Sequence, residues 1–323
     1  MSKMIDVGAA CELLRGCDNV LILMHQKPDG DCIGSAFALL WALESMGKRA
    51  RVECSDVIPE RYKAFTGDYT PVDFQPRFVI TVDVASPQLL GNLQAAWENR
   101  LDLCIDHHRV NTLQARYTLL DWDVPATAQL IYQIVKELGV PFDNRISTAI
   151  FAGMVADTGG FRYSSVTAQT FHIAAEMIEA GADHAMVNTV YFDTRSRPLV
   201  ELDKIISNNL EYHFGGLCAL VTIYRADTDR LGVDEADLDG IATIPRRIQG
   251  VEVGIVLREN FDSYRVSVRS RDKVDSSVLC AKFDGGGHWG AGGCTIQGDD
   301  AAVRQALLPA VGQALREAGF NWE

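Results

Sequence analysis

The chain is short of positive charge: 30 lysines and arginines stand against 43 aspartates and glutamates over 323 residues, a formal net charge of −13. That balance excludes a protein that coats long nucleic acid, because coating neutralises many phosphates with Lys and Arg. No apolar run approaches the roughly 18 residues a spanning helix needs, so a membrane protein is not expected. The opening MSKMIDVGAACELLRG has an amphipathic helical pattern and no signal-peptide cleavage site, which predicts a cytoplasmic protein. The eight cysteines contain no CxxC pair and no Cys–His zinc spacing; they read as small buried residues of a reduced protein. Internal repeats and low-complexity tracts are also lacking. With 47% hydrophobic residues, the length suffices for about two domains with proper cores.

What is present starts with the stretch MHQKPDGDCIGS, residues 24–35. It follows the apolar run Val20–Met24 and enters a helical pattern, Ile33–Met46, so it reads as the turn between a buried strand and a helix start. Lys27-Pro28-Asp29-Gly30 breaks regular structure and brings His25, Asp29 and Asp31 to one small volume. They are either half of a metal site or an ordinary helix start in which Asp29 or Asp31 caps the first turn. Val20–His25, Ala50–Cys54, Phe78–Asp83 and Leu101–Asp106 read as apolar strands, with helices over Ile33–Met46 and after Ser86-Pro87. This alternation predicts an α/β fold, a parallel sheet with helices on both faces, whose chemistry sits at the carboxyl ends of the strands. Candidate ligands stand at three of those ends: His25 with its turn, Asp83, and Asp106-His107-His108. One such acid is often a turn-former; three converging ends are harder to assign to turns.

From Pro125 to about Phe192 the pattern is mostly helical, over 128–138, 146–156, 170–180 and 185–192. Within it, ADTGGFRY (156–163) ends one helix at Asp157 and turns away through two glycines. Pro198–Tyr212 reads as a polar linker helix. The second part begins with a strand, Leu217–Tyr224, and a short acidic helical region to Gly240. A hairpin of Val251–Arg258 with Tyr264–Ser270 follows, then a glycine cluster, a short strand and a terminal helix, Ala301–Ala318. The expected division is a domain over 1–193, a linker over 194–216, and a smaller α/β domain over 217–323. Seven basic residues between Ile241 and Lys273 form a local patch, either a solvated strand face or a contact for a short substrate.

Taken in order, HQKPDGD (25–31), VDVAS (82–86), IDHH (105–108), ADTGGFRY (156–163) and GGGH (285–288) resemble the motif series of the DHH phosphoesterase superfamily, across nearly the whole chain. The GGGH block, preceded by Val268-Arg269-Ser270, resembles the DHHA1 domain of the small nanoRNase/pAp phosphatase group, pAp being adenosine 3′,5′-bisphosphate. The resemblance implies two divalent cations, usually manganese, with magnesium as the alternative. It implies that His25 and Asp29 hold one, that Asp31, His107 and Asp157 hold the other, and that Asp83 bridges. Asp106 would orient an imidazole, and His108 would lie next to the scissile phosphate. The residue types agree: four carboxylates balance two dications, and hard oxygen and nitrogen donors without thiolate suit manganese or magnesium better than copper. Paired cations can hold a hydroxide and stabilise both the attacking and the leaving oxygen of an in-line displacement at phosphorus.

Recognition is expected from the second domain. Gly285, Gly286 and Gly287 let backbone amides approach a phosphate, with Arg269, Ser270 and His288 as partners for a terminal phosphate or sugar. A tight turn where only glycine fits accounts for the same glycines. Asp284 and the run Trp289–Gly293 depart from the family pattern and leave substrate preference open. The expected function is a manganese-dependent phosphoesterase that hydrolyses short oligoribonucleotides to 5′-mononucleotides and dephosphorylates pAp. The alternatives are a soluble phosphodiesterase for cyclic or linear dinucleotides and a catalytically silent nucleotide-binding regulator; the latter is expected to have lost a ligand. Short oligoribonucleotides and a nucleotide bisphosphate are the expected partners, without long nucleic acid or membrane, and a homodimer stays open.

Overall fold

The computed structural model describes residues 2–67, 69–233, 238 and 240–322, and for His288 the backbone alone. The chain divides into two compact units, residues 1–194 and 195–323. Each has its own hydrophobic core.

The first unit runs β1 (Lys3–Met4), α1 (Val7–Gly16), β2 (Val20–Leu23), α2 (Gly30–Ser45), β3 (Ala50–Glu53), α3 (Lys63–Thr66), β4 (Phe78–Val82), α4 (Gln94–Trp97), β5 (Leu103–Asp106), β6 (Tyr117–Leu120), α5 (Thr127–Leu138), α6 (Asn144–Asp157), α7 (Ala168–Glu179) and α8 (His184–Asn188). Its strands form one parallel sheet in the order β1-β6-β5-β4-β2-β3. Side chains alternate along a strand, and this sets the layers. Val20 and Ile22 enter the core shared with α1, α2, α5 and α6, whereas Leu21 and Leu23 join Leu90, Leu101 and Cys104 on the opposite face. The α/β sheet with helices on both faces is therefore present. The second face, however, is covered by a 3₁₀ helix, Pro87–Leu93, and the four-residue α4, where a regular helix after Ser86-Pro87 was expected.

β2 pairs with β3 on one side and with β4 on the other, so the chain winds outward in opposite directions from the β2–β4 junction. In open α/β sheets the crevice at such a junction, outside the carboxyl ends of the strands, is where ligands bind. His25 follows β2 and Asp83 follows β4.

Two strands of this sheet carry little sequence signal. β1 has two residues, and β6 pairs with it and with β5, so partners distant in the chain stabilise both. The helix expected over 185–192 breaks at Asn188 and continues as a π turn, Thr189–Asp193.

The second unit contains α9 (Arg197–Asn208), β7 (Glu211–His213), β8 (Cys218–Ile223), α10 (Arg225–Leu231), β9 (Val253–Glu259), β10 (Ser263–Ser270), α11 (Ser276–Ala281), β11 (Gly286–His288), β12 (Ala291–Gln297) and α12 (Asp300–Glu317). Its sheet runs β11-β12-β10-β9-β8-β7, with β8 and β9 parallel and the other pairs antiparallel. One face packs on α12 through Leu220, Val266, Leu307 and Val311. The other takes α9, whose Leu199, Leu202 and Ile206 pack with Val221, Ile223 and Val256. The segment read as a polar linker helix is thus amphipathic, belongs to the second unit, and passes into β7 after Asn208. Residues 234–237 and 239, in the expected acidic helical region, lie outside the described residues. No helix among the described residues is long and apolar enough to cross a membrane.

Candidate active site

Asp29 caps α2: its Oδ1 accepts the amides of Asp31 and Cys32, both at 3.0 Å. The same oxygen lies 3.7 Å from His25 Nε2, so the capping role and a place in the cluster coexist. Asp31 is fully buried and accepts the amides of Thr127 (2.6 Å) and Ala128 (2.9 Å) at the start of α5. Those amides have no helical acceptor of their own, which makes a helix start a good seat for a carboxylate.

Asp83 stands just past β4 with φ +58°, in the left-handed region that aspartate tolerates better than most residues. Its Oδ1 accepts the Thr127 hydroxyl at 2.9 Å and lies 3.7 Å from both His107 Nε2 and His108 Nδ1. Its Oδ2 lies 3.8 Å from His25 Nε2. β5 ends on Asp106, whose Oδ1 holds His108 Nδ1 at 2.8 Å. His107 Nε2 lies 3.2 Å from Oδ2 of Asp157, the last residue of α6, and 3.9 Å from Asp31 Oδ2. His25, Asp29, Asp31, Asp83, Asp106, His107, His108 and Asp157 therefore form one cluster at the sheet's carboxyl edge.

The cluster holds more carboxylate than its own cations balance. Burial, followed by the charges of Asp83 and Asp157, pushes Asp31 well above the usual carboxylate range. Burial and then Asp29 raise Asp83 to about 6. For His107, burial disfavours the imidazolium, but Asp157, Asp83 and Asp31 outweigh it and lift the group to about 11. His108 is raised as well, against burial, chiefly by its bond to Asp106. Donor atoms of Asp83, His107 and His108, and likewise of Asp31, His107 and Asp157, lie within 4.8 Å of one another. Converging oxygen and nitrogen donors whose negative charges raise one another's pKa fit divalent cations, which relieve that repulsion.

Three further residues belong to the cluster and were not read from the sequence. Asn111 donates to Asp106 Oδ2 at 2.6 Å, completing a chain from Asn111 through Asp106 to His108. Thr127 joins Asp31 to Asp83 through its amide and hydroxyl. Cys32 places its sulfur within 4.8 Å of donors on His25 and Asp83, so the donor set expected without sulfur has a thiol beside it. Burial pushes that thiol up to about 12, and it donates to the Val82 carbonyl at 3.5 Å, so it stays neutral. Asn111 follows the IDHH run by three residues, and that proximity is its sole mark in the sequence.

In the second unit, Arg269 lies on β10 and donates to the carbonyls of Val268 (3.0 Å) and Gly292 (3.4 Å). Ser270 is fully buried; its hydroxyl donates to Trp289 O at 3.1 Å and receives that of Ser276 at 2.9 Å, which fastens the glycine hairpin. Gly285 precedes β11, and Gly286 and Gly287 pair with Gly293 and Gly292 of β12. At Gly287, with φ +138°, a Cβ would lie 2.3 Å from the Ala291 carbonyl, so the tight-turn account applies there. Asp284 has φ +55°, a conformation that glycine adopts without strain and that aspartate tolerates better than most residues. The His288 side chain lies outside the described residues.

A parallel sheet with carboxylates and imidazoles converging at its strand ends, followed by a mixed-sheet unit with a glycine hairpin, defines a two-domain phosphoesterase. The chain belongs to the DHH family and is a hydrolase acting on phosphate esters: the DHH family N-terminal domain matches residues 19–154 and the DHHA1 domain residues 218–317. It is 30% identical over 317 residues to the bifunctional oligoribonuclease and PAP phosphatase NrnA of Thermus thermophilus, covering 96% of this chain and 94% of that one. The Bacillus subtilis protein of the same name is 25% identical over 293 residues, covering 89% of this chain and 92% of that one. An exopolyphosphatase-related protein from Bacteroides fragilis shares the fold, with a TM-score of 0.85 at 22% identity over 96% of this chain and 95% of that one.

Proposed function

We propose that this chain releases 5′-mononucleotides from short oligoribonucleotides and removes the 3′-phosphate from pAp, using two divalent cations, manganese or magnesium. The observation that carries the reading is the carboxylate of Asp83, which turns one oxygen to His25 and the other to His107. A group facing two ligand sets is what a bridging position requires. His25 and Asp29 would hold one cation, and Asp31, His107 and Asp157 the other. When bound, such a pair supplies Lewis acidity and a nucleophilic oxygen at neutral pH. Asp31 is fixed by the α5 amides and Asp29 by the α2 amides, so these ligands are oriented before any cation arrives. Asn111 orients Asp106, and Asp106 orients His108 and favours its protonated form, which offsets charge developing on the phosphate.

The second unit, with Arg269, Ser270, Gly285, Gly286, Gly287 and His288, is assigned substrate recognition; Arg269 brings a cationic side chain to the glycine hairpin, where it donates to the Gly292 carbonyl. Eight free cysteines support a reduced, cytoplasmic setting.

The test is a substrate panel with manganese-loaded protein: a diribonucleotide, a longer RNA, pAp, cyclic-di-AMP and pyrophosphate. Turnover of the diribonucleotide and pAp is expected. Preference for cyclic-di-AMP would replace this reading with a cyclic-dinucleotide phosphodiesterase, and binding without turnover would indicate a silent regulator.

A further inference from the structure

Tyr191 sits in the π turn Thr189–Asp193, a conformation that recurs at functional sites. Its ring stacks on Phe65, with centroids 5.6 Å apart and planes at 24°, and leans against Tyr62 at 6.2 Å. The ring is thus fixed by apolar neighbours. Its hydroxyl is not satisfied by them: the oxygen is buried and has no hydrogen-bond partner among the described residues. A buried hydroxyl without a partner opposes folding, and phenylalanine would fill the same space without that penalty.

The location of the hydroxyl indicates what it meets. It lies 1.7 Å from where a Cβ on Gly30 would stand, so it occupies the space left by the one residue between Asp29 and Asp31. Any side chain at position 30 would evict it; Ala156, next to Asp157, would lie 2.8 Å from the same Cβ. A phenol is a neutral O–H donor at ordinary pH, so the group can give a hydrogen bond without bringing charge. Both oxygens of Asp31 and Oδ1 of Asp29 already accept backbone amides, and the hydroxyl makes no hydrogen bond to either carboxylate.

We propose that Tyr191 is a catalytic residue whose hydroxyl donates a hydrogen bond to an oxygen of the phosphoryl group held beside Asp29 and Asp31. It supplies a donor without adding charge to the cluster, and Gly30 is the residue that makes room for it. The proposal rests on the phosphoesterase reading above.

The test uses the full manganese-loaded chain and inorganic phosphate as probe. In Tyr191→Phe, manganese affinity and melting temperature should be kept, the latter equal or higher. Phosphate affinity should fall about tenfold, the loss of one hydrogen bond to a charged acceptor. Gly30→Ala, which evicts the hydroxyl while leaving it in the chain, should reproduce the phosphate defect. Unchanged phosphate affinity in Tyr191→Phe overturns the proposal, as does a wild-type protein that binds manganese but no phosphate. If the wild type binds phosphate, Tyr191→Phe weakens it, and no nucleotide on the panel is turned over, the hydroxyl contact stands and the nucleotide reading fails.

Discussion

Asp83 is the residue on which most of the cluster depends, since its two oxygens face different imidazoles and Thr127. Asp83→Ala should therefore lose more bound manganese than Asp29→Ala, as metal analysis after gel filtration will show; equal losses would remove the bridge. The same residue sets a pH dependence. Burial and Asp29 lift it from the ordinary 3.8 to about 6, so between those values the folded state holds a proton that the unfolded state has released. That contribution is present at acid pH and lost as pH rises through about 6. His107, lifted from 6.5 to about 11, acts in the same direction. Metal-free protein should thus melt at lower temperature as pH rises from about 5 to 8, and manganese should stabilise it more at the upper end. A metal-free melting temperature that climbs over this range would contradict the assigned environment. Asn111 gives a third measurement: Asn111→Ala should lower kcat about tenfold or more with manganese content unchanged, because it acts on His108 through Asp106 and touches no proposed ligand. The strand-end acids and histidines were legible in the sequence because motif residues at parallel-strand ends have few places to go. Asn111, Thr127 and Tyr191 were not, because their roles arise from contacts made only after folding.

At the scale of elements, α2 shows how a cap and a ligand share one side chain. Asp29→Asn keeps an oxygen for the Asp31 and Cys32 amides, whereas Asp29→Ala removes it. In metal-free protein, Asn should leave stability nearly unchanged and Ala should cost about 1 kcal/mol, read from urea unfolding; both should weaken manganese binding. Equal stability of the two variants would mean that the cap is idle. Strong apolar runs such as Val20–Leu23 and Phe78–Val82 made the central strands readable, since burial on both faces demands them. The edge of the sheet was not readable: β1 and β6 hold their places by pairing with each other across more than a hundred residues, and no local pattern encodes that. The amphipathic stripe of α9, Leu199, Leu202 and Ile206, was present in the sequence but hidden among its charged neighbours.

For the whole molecule, a net charge of −13 bears on substrate length. Each added phosphate brings repulsion where a processive nuclease offers attraction, so kcat/KM should fall as RNA grows from two to about ten nucleotides. Initial rates over a length series at fixed salt measure it, and rising efficiency on longer RNA would point to a processive enzyme. The two units also differ in when they become complete. Every member of the first unit's two cores, and every residue of the carboxylate and imidazole cluster, is encoded before position 195. During synthesis the ribosome therefore releases a fully specified sheet, with its cluster, while the second unit is still untranslated. Order of translation becomes order of assembly: on the proposed two-cation reading, a nascent chain would hold every proposed ligand before the glycine hairpin exists, and a stalled or truncated product would be expected to sequester metal without the partner unit assigned to choose its substrate.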